Sequence, residues 1–229
     1  MKTKYFLSTA TYAAMAFIFF ACSSDDSGGV VGGSNLSDLP KQVWFVEGDG
    51  YGNLIKKEEY KGNGDIELRS YGDEDDDEYD VIPVGKIQNG QISLNLPIDS
   101  KWLWKWESCN DTNCQISVVP KNLSVIGNLN RFDANIPNKS NCDVRPYLIK
   151  SDEIVRARLF YFSESGKITG TETYDYGGEY TYDMNFSKGW NVVARYRDGG
   201  DVGNYFMTTD LSDGELEWWL ECRYDDDDD

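Results

Sequence analysis

The chain contains no histidine, and that absence removes more functions than any motif in it adds. Without an imidazole there is no Ser-His-Asp or Cys-His pair and no histidine-ligated zinc. There is also no Gly-x-Ser-x-Gly elbow and no phosphate-binding loop. Basic residues are scarce: 22 Lys and Arg stand against 40 Asp and Glu, a formal net charge of −18. A field of that sign argues against nucleic acid and against adhesion to anionic lipid by charge, and it favours cations and basic partners. Helix-period stretches are few, and residues 56–60 are too short and too charged to make one. Long apolar runs are rare as well.

The apolar run at the start of the chain is the informative one. Lys2 and Lys4 precede Ala13, Ala14, Met15, Ala16, Phe17, Ile18, Phe19 and Phe20, and the run ends in Ala21-Cys22-Ser23-Ser24. A charged start, a short apolar core and a small residue before the cut describe a secretory signal. The run falls short of the roughly 20 apolar residues a membrane span needs. Phe19-Phe20-Ala21-Cys22 resembles the lipobox of bacterial lipoproteins. The resemblance implies cleavage before Cys22, whose thiol then carries diacylglycerol and whose amine is acylated. Several acyl chains, at about 0.8 kcal/mol per buried CH2, anchor a protein without any protein contact. Ser23 stands where an inner-membrane retention signal has Asp. Ser24-Asp25-Asp26 is similar to the acidic surface-export signal of some Gram-negative outer-membrane lipoproteins. The expectation is therefore a protein lipid-anchored to the outer membrane at the cell surface, with a net charge of about −20 once Lys2 and Lys4 are removed.

This divides the chain into a signal peptide (1–21), a lipidated flexible tether (22–40), a single antiparallel β domain (41–224) and an acidic tail (225–229). The tether is Ser, Gly, Asp and Asn with little to bury. Beyond it, apolar residues recur with a period of two. Asn89-Gly90, between Ile87 and Ile92, predicts a type I′ hairpin turn. Trp102, Trp104 and Trp106 alternate with Leu103 and Lys105, which predicts a strand with three indoles on one side. Residues 115–119 and 123–126 predict two more short strands, and most of 121–146, rich in Asn, Pro and Lys, predicts long loops. From Ile154 onward, alternating runs separated by Gly-containing turns predict a meander, with Tyr180, Tyr182, Met184 and Phe186 on one apolar face. The fold class expected is all-β, an antiparallel sandwich or barrel-like meander.

With Cys22 lipidated, Cys109, Cys114, Cys142 and Cys222 remain, an even number in an exported chain. Three pairings exist. Cys109 and Cys114 bracket a short polar loop, which favours 109–114 with 142–222.

Candidate sites follow from the aromatics and the acids. Trp102, Trp104, Trp106 and Trp219 are candidate ligand-binding residues, because flat rings stack on sugar faces while the indole N–H orients them. The competing reading places those rings in the core. Trp218 and Trp219 are adjacent, so one must leave the core face or cover a second layer. The acidic run 73–78 and the segment 49–53 carry oxygen ligands suited to calcium, but neither has the spacing of a calcium loop, and solvated loops are the plainer reading. No other cofactor or metal is indicated. Glu153, Glu164, Glu172 and Glu179 are the raw material for a carboxylate glycosidase, yet no spacing pairs any two of them. The expected function is a non-catalytic surface binding module for a glycan or an envelope protein, anchored to the membrane by its lipid and with no nucleic acid partner. The alternatives are a structural envelope lipoprotein or a small glycosidase.

Overall fold

Alternation of apolar and polar side chains makes strands of nearly every periodic segment. The computed structural model describes residues 36–48, 54–71, 79–151, 153–174, 178–198 and 203–222. Among these the regular elements are strands and two single turns of 3-10 helix, Leu36–Asp38 and Ser100–Trp102. The strands form one large mixed sheet, mostly antiparallel and not closed, as expected of an all-β fold.

The first part holds β1 (Val43–Gly48), β2 (Leu54–Glu59), β3 (Gly64–Tyr71), β4 (Tyr79–Gln88) and β5 (Gln91–Leu94). Asn89 and Gly90 link β4 to β5 with φ of 50° and 76°, the left-handed pair that a type I′ turn requires. Gly90 is pinned from both sides: its carbonyl accepts from Val43 N and its N–H donates to Gly62 O. β2 pairs with β1 and is exposed along its length. Lys56, Lys57, Glu58 and Glu59 charge that edge, a pattern that discourages edge-to-edge pairing with another chain.

The middle part holds β6 (Trp104–Lys105), β7 (Cys109–Asn110), β8 (Cys114–Val119), β9 (Ser124–Leu129), β10 (Phe132–Asn135) and β11 (Cys142–Ile149). Two expectations are corrected here. Residues 121–146 are not mostly loops: besides β9, where a short strand at 123–126 is expected, β10 and the start of β11 lie in them, and Phe132 and Val144 are fully buried. The indole run is not one strand either. Trp102 closes a 3-10 turn whose start is capped by the Asp99 carboxylate, and only Trp104 and Lys105 are paired, to Val125 and Ser124 of β9.

The last part holds β12 (Ile154–Phe162), β13 (Gly166–Thr173), β14 (Glu179–Phe186), β15 (Gly189–Asp198), β16 (Asn204–Thr208) and β17 (Glu215–Cys222). A simple meander is not what forms. β12 pairs with β15, β13 pairs with β14 and β8, and β16 lies between β14 and β15. β17 returns to the first part, parallel to β1 and antiparallel to β11. Period-two patterning fixes which face a residue takes but not which strand it pairs with.

The ladder of β12 against β15 separates two cores. Ala157, Leu159 and Val192 join Val43, Phe45, Ile66, Phe132, Val144, Trp218 and Leu220 in the first. Phe160, Phe162 and Val193 join Val125, Ile168, Met184 and Phe186 in the second. Leu39 is buried in the first core with Leu36 against it, so the expected tether is docked by residue 36. The rest of that tether and the acidic tail lie outside the described residues.

Both expected disulfides are present, Cys109–Cys114 and Cys142–Cys222, the second directly across the β11–β17 ladder. In the chain-entropy account, constraining 80 residues of sequence separation contributes about 4.5 kcal/mol and a separation of 5 only about 2 kcal/mol. Replacing Cys142 and Cys222 together by Ala should therefore lower Tm by clearly more than replacing Cys109 and Cys114. Thermal melts of the two double variants check this, and the reverse order would contradict it.

Candidate functional site

One register row crosses the sheet on the face away from the first core. Glu217 of β17 stands opposite Tyr147 of β11, Tyr147 opposite Arg156 of β12, and Arg156 opposite Arg195 of β15. The row continues through Met207 of β16 to Tyr182 of β14. Neighbouring strands lie about 4.8 Å apart, so the row spans some 25 Å. It divides into two halves of opposite character.

In the β17–β11 half the buried charges are paired, although the Nε–H of Arg145 lacks an acceptor. Lys57 Nζ donates to Glu217 at 2.6 Å, the Trp219 indole N–H donates to the other Glu217 oxygen at 2.7 Å, and the Tyr147 hydroxyl donates to Glu221 at 2.8 Å. Arg131 and Arg145 both donate to buried Asp143, at 2.6 and 2.9 Å. Lys57 also lies 4.6 Å over the Trp44 ring. Beneath this layer Val46, Tyr147 and Trp219 form a small core of their own. Trp219 thus covers the second layer that its adjacency to Trp218 demands. The carboxylates raise the Arg145 guanidinium above its ordinary pKa in spite of its desolvation. Burial first, and Glu221 second, push the Tyr147 hydroxyl up to about 12.

The β12–β15 half is built differently. Along one face β12 reads Phe162, Phe160, Arg158, Arg156, and β14 reads Phe186, Met184, Tyr182, Tyr180. Phe162 stacks on Phe186 at 3.9 Å at the apolar end; at the other end guanidinium groups meet phenol rings. The Arg195 guanidinium lies 3.7 Å over the Tyr205 ring and donates to the Tyr180 hydroxyl at 3.2 Å. Tyr205 and Tyr180 stack at 5.0 Å, with Tyr174 5.4 Å from Tyr180. Arg158 is only 7% exposed. Among the described residues it makes no hydrogen bond or ion pair, and the buried Nε–H groups of both Arg158 and Arg195 lack an acceptor. Desolvation, then the neighbouring Arg195 charge, push Arg158 down to about 10, the opposite of Arg145. Glu172 in this cluster is already engaged, accepting from the Tyr182 hydroxyl at 2.7 Å.

The sequence-derived candidates divide between these surroundings. Trp106 is buried in the second core, edge-on to Tyr182 at 5.4 Å, and Trp104 lies 5.1 Å from Trp106 with 46% of its surface exposed. Rings therefore follow one another from exposed Trp104 through Trp106, Tyr182 and Tyr180 to Tyr205, which Arg195 covers. Trp102 is half-buried beside Lys101, outside this array. Trp219 shares the sheet face but is buried on the paired half. Glu153, Glu164 and Glu179 are exposed. Cys22 and the calcium candidates at 49–53 and 73–78 lie outside the described residues, and among the described residues no cluster of acids or cysteines could hold a metal.

Arg158, Arg195, Tyr180 and Tyr205 were not singled out from sequence. A signal was available: Arg156 and Arg158 interrupt the face of a strand whose other positions are apolar. No protein-family model, no curated protein and no solved structure matches this chain.

Two predictions follow from the contrast between the halves. An unpaired buried cation costs stability, so Arg158→Met should stabilise the free protein by about 1–3 kcal/mol. Denaturant melts measure this, and a loss of stability would make Arg158 a structural residue. Tyr147 titrates near 12 when folded and near 10 when unfolded. Its contribution is whole below pH 10 and is lost as pH rises to about 12, at up to about 1.4 kcal/mol per pH unit. Melts of the parent and Tyr147→Phe across that window should show the shallower decline in the variant.

Proposed function

We propose that the chain is a lipid-anchored outer-membrane protein facing the exterior, whose β domain is a non-catalytic binding module for a glycan. The lipobox-like segment ending in Cys22 supports the address, and two disulfides suit an oxidising compartment outside the cytoplasm. The observation that carries the binding reading is the ring array from exposed Trp104 to Tyr205, ending at two guanidinium groups that no carboxylate of the described residues engages. Aromatic rings with adjacent fixed donors are what sugar recognition uses, the rings for the apolar face and the donors for the hydroxyls. The lack of histidine supports binding rather than turnover.

The test is a broad glycan array probed with the full-length protein in detergent, with and without calcium. Retention of a defined sugar class is expected, weakened about tenfold or more by Trp104→Ala at unchanged Tm. A blank array would move the reading to a structural envelope component, which the burial of Trp106, Trp218 and Trp219 favours. Metabolic labelling with a radioactive fatty acid checks the anchor: Cys22→Ser should abolish incorporation.

A further inference from the structure

We infer that Arg158 and Arg195 together form a receptor for an oxyanion, the carboxylate, sulfate or phosphate substituent of an acidic glycan. The inference rests on the glycan reading above and names the group the site takes.

The first argument is the charge economy of the molecule. Acids outnumber bases by 40 to 22, and the least exposed basic groups elsewhere find them: Lys57 pairs with Glu217, Lys150 with Asp213, and Arg145, with Arg131 beside it, pairs with Asp143. On the same sheet face on which Arg145 is neutralised by Asp143, Arg156, Arg158 and Arg195 gather without one ion pair among the described residues. A shortage of carboxylates does not explain that.

The second argument is geometry. Arg158 is more than nine-tenths buried with an unanswered Nε–H, and Arg195 has a second one. The Arg145 Nε–H is unanswered as well, but the rest of that guanidinium is held by Asp143, whereas no carboxylate of the described residues holds the other two. A guanidinium without an acceptor in a desolvated place lacks the partner its forked donors are shaped for. Arg195 is held flat against Tyr205 and tied to the Tyr180 hydroxyl, so little freedom is lost when a ligand arrives. Arg156, exposed and opposite Arg195, supplies a third positive charge at the rim. The like-charge pair is unfavourable when empty and is relieved by an anion, whereas a neutral sugar offers no such gain. The net negative field of the molecule opposes every approaching anion, so the guanidinium pair must supply the attraction at short range.

The experiment uses the full-length protein in detergent, labelled with 15N at arginine. The Nε–Hε signals of Arg158 and Arg195, assigned by their loss in Arg158→Gln and Arg195→Gln, are followed during titration with sodium glucuronate, sodium sulfate and inorganic phosphate. Glucose serves as the neutral control, at constant ionic strength. Saturable shifts of both signals with at least one anion and none with glucose are expected, while the signal of Arg145, whose guanidinium Asp143 already engages through its other nitrogen, stays in place. No saturable shift, or an equal shift at Arg145, overturns the inference. On the array, acidic glycans should be retained and lost about tenfold or more in both Gln variants and in Arg195→Lys, which keeps charge but loses the fork. The uronate, sulfated and phosphorylated arms then identify the substituent. Equal retention of neutral glycans overturns the inference but leaves the glycan reading intact. Saturation by the simple anions with a blank array upholds the oxyanion receptor and overturns the glycan reading.

Discussion

The rest of the structure depends on the β12–β15 ladder. Its seven register pairs, from Arg156 with Arg195 to Phe162 with Gly189, form a wall with an apolar core against each side. Most strands of an antiparallel sheet bury one face and wet the other. β12 buries both, so Leu159 and Phe160, adjacent in sequence, pack in different cores. Asn191, fully buried, keeps the adjoining turn in register by donating to the Ser187 and Gly189 carbonyls and accepting from Ser187 N–H. A change that slipped this ladder by one residue would exchange the contents of the two cores.

The same wall explains where the charged row can exist. Where β14, β13 and β8 cover the wall, its outer face is filled by phenylalanine and methionine. Where that cover ends, the positions that follow in alternation are Arg158 and Arg156. Farther across, on β11, β17 and β1, no further strand layer among the described residues lies over the face. The protein closes it instead with side chains: Lys57 over Trp44, Glu217 on the Trp219 indole, Asp143 between two arginines. The row therefore runs from a self-neutralised surface into an unneutralised one without a break in backbone register. Buried charge is tolerable in the first half because each group has its hydrogen bonds. In the second half Arg158 has none among the described residues and Arg195 has only the Tyr180 hydroxyl, and the proposed binding site rests on that contrast within one molecule.

The tryptophans show how composition misleads when read residue by residue. A surplus of rings is compatible with a core and with a binding surface. Trp218 and Trp219 went to two layers because adjacent strand residues point oppositely. Trp104 and Trp106 point the same way, yet one is open and the other covered, because Trp106 lies where Tyr182 and Phe160 reach it. Their contribution to a site comes from what stands beside them rather than from their number.

Some of this was legible in the chain itself. Period-two alternation determined an all-β fold, Asn89-Gly90 determined a hairpin because few other pairs accept two left-handed residues in succession, and the even cysteines with one close pair pointed to the bridges that form. These are local properties, set by φ/ψ preference and by spacing within a few residues. Strand pairing was decided only in three dimensions: β16 between β14 and β15, β17 beside β1, and β10 and the start of β11 where the chain reads as loops. Alternation says which face a side chain takes and is silent about its neighbour across the ladder. The candidate site belongs to that second class. Arg158 and Arg195 are 37 positions apart, Tyr205 lies on a third strand and Tyr180 on a fourth, and only the pairing of β12, β15, β16 and β14 sets two guanidinium groups against stacked phenols with no carboxylate partner among the described residues.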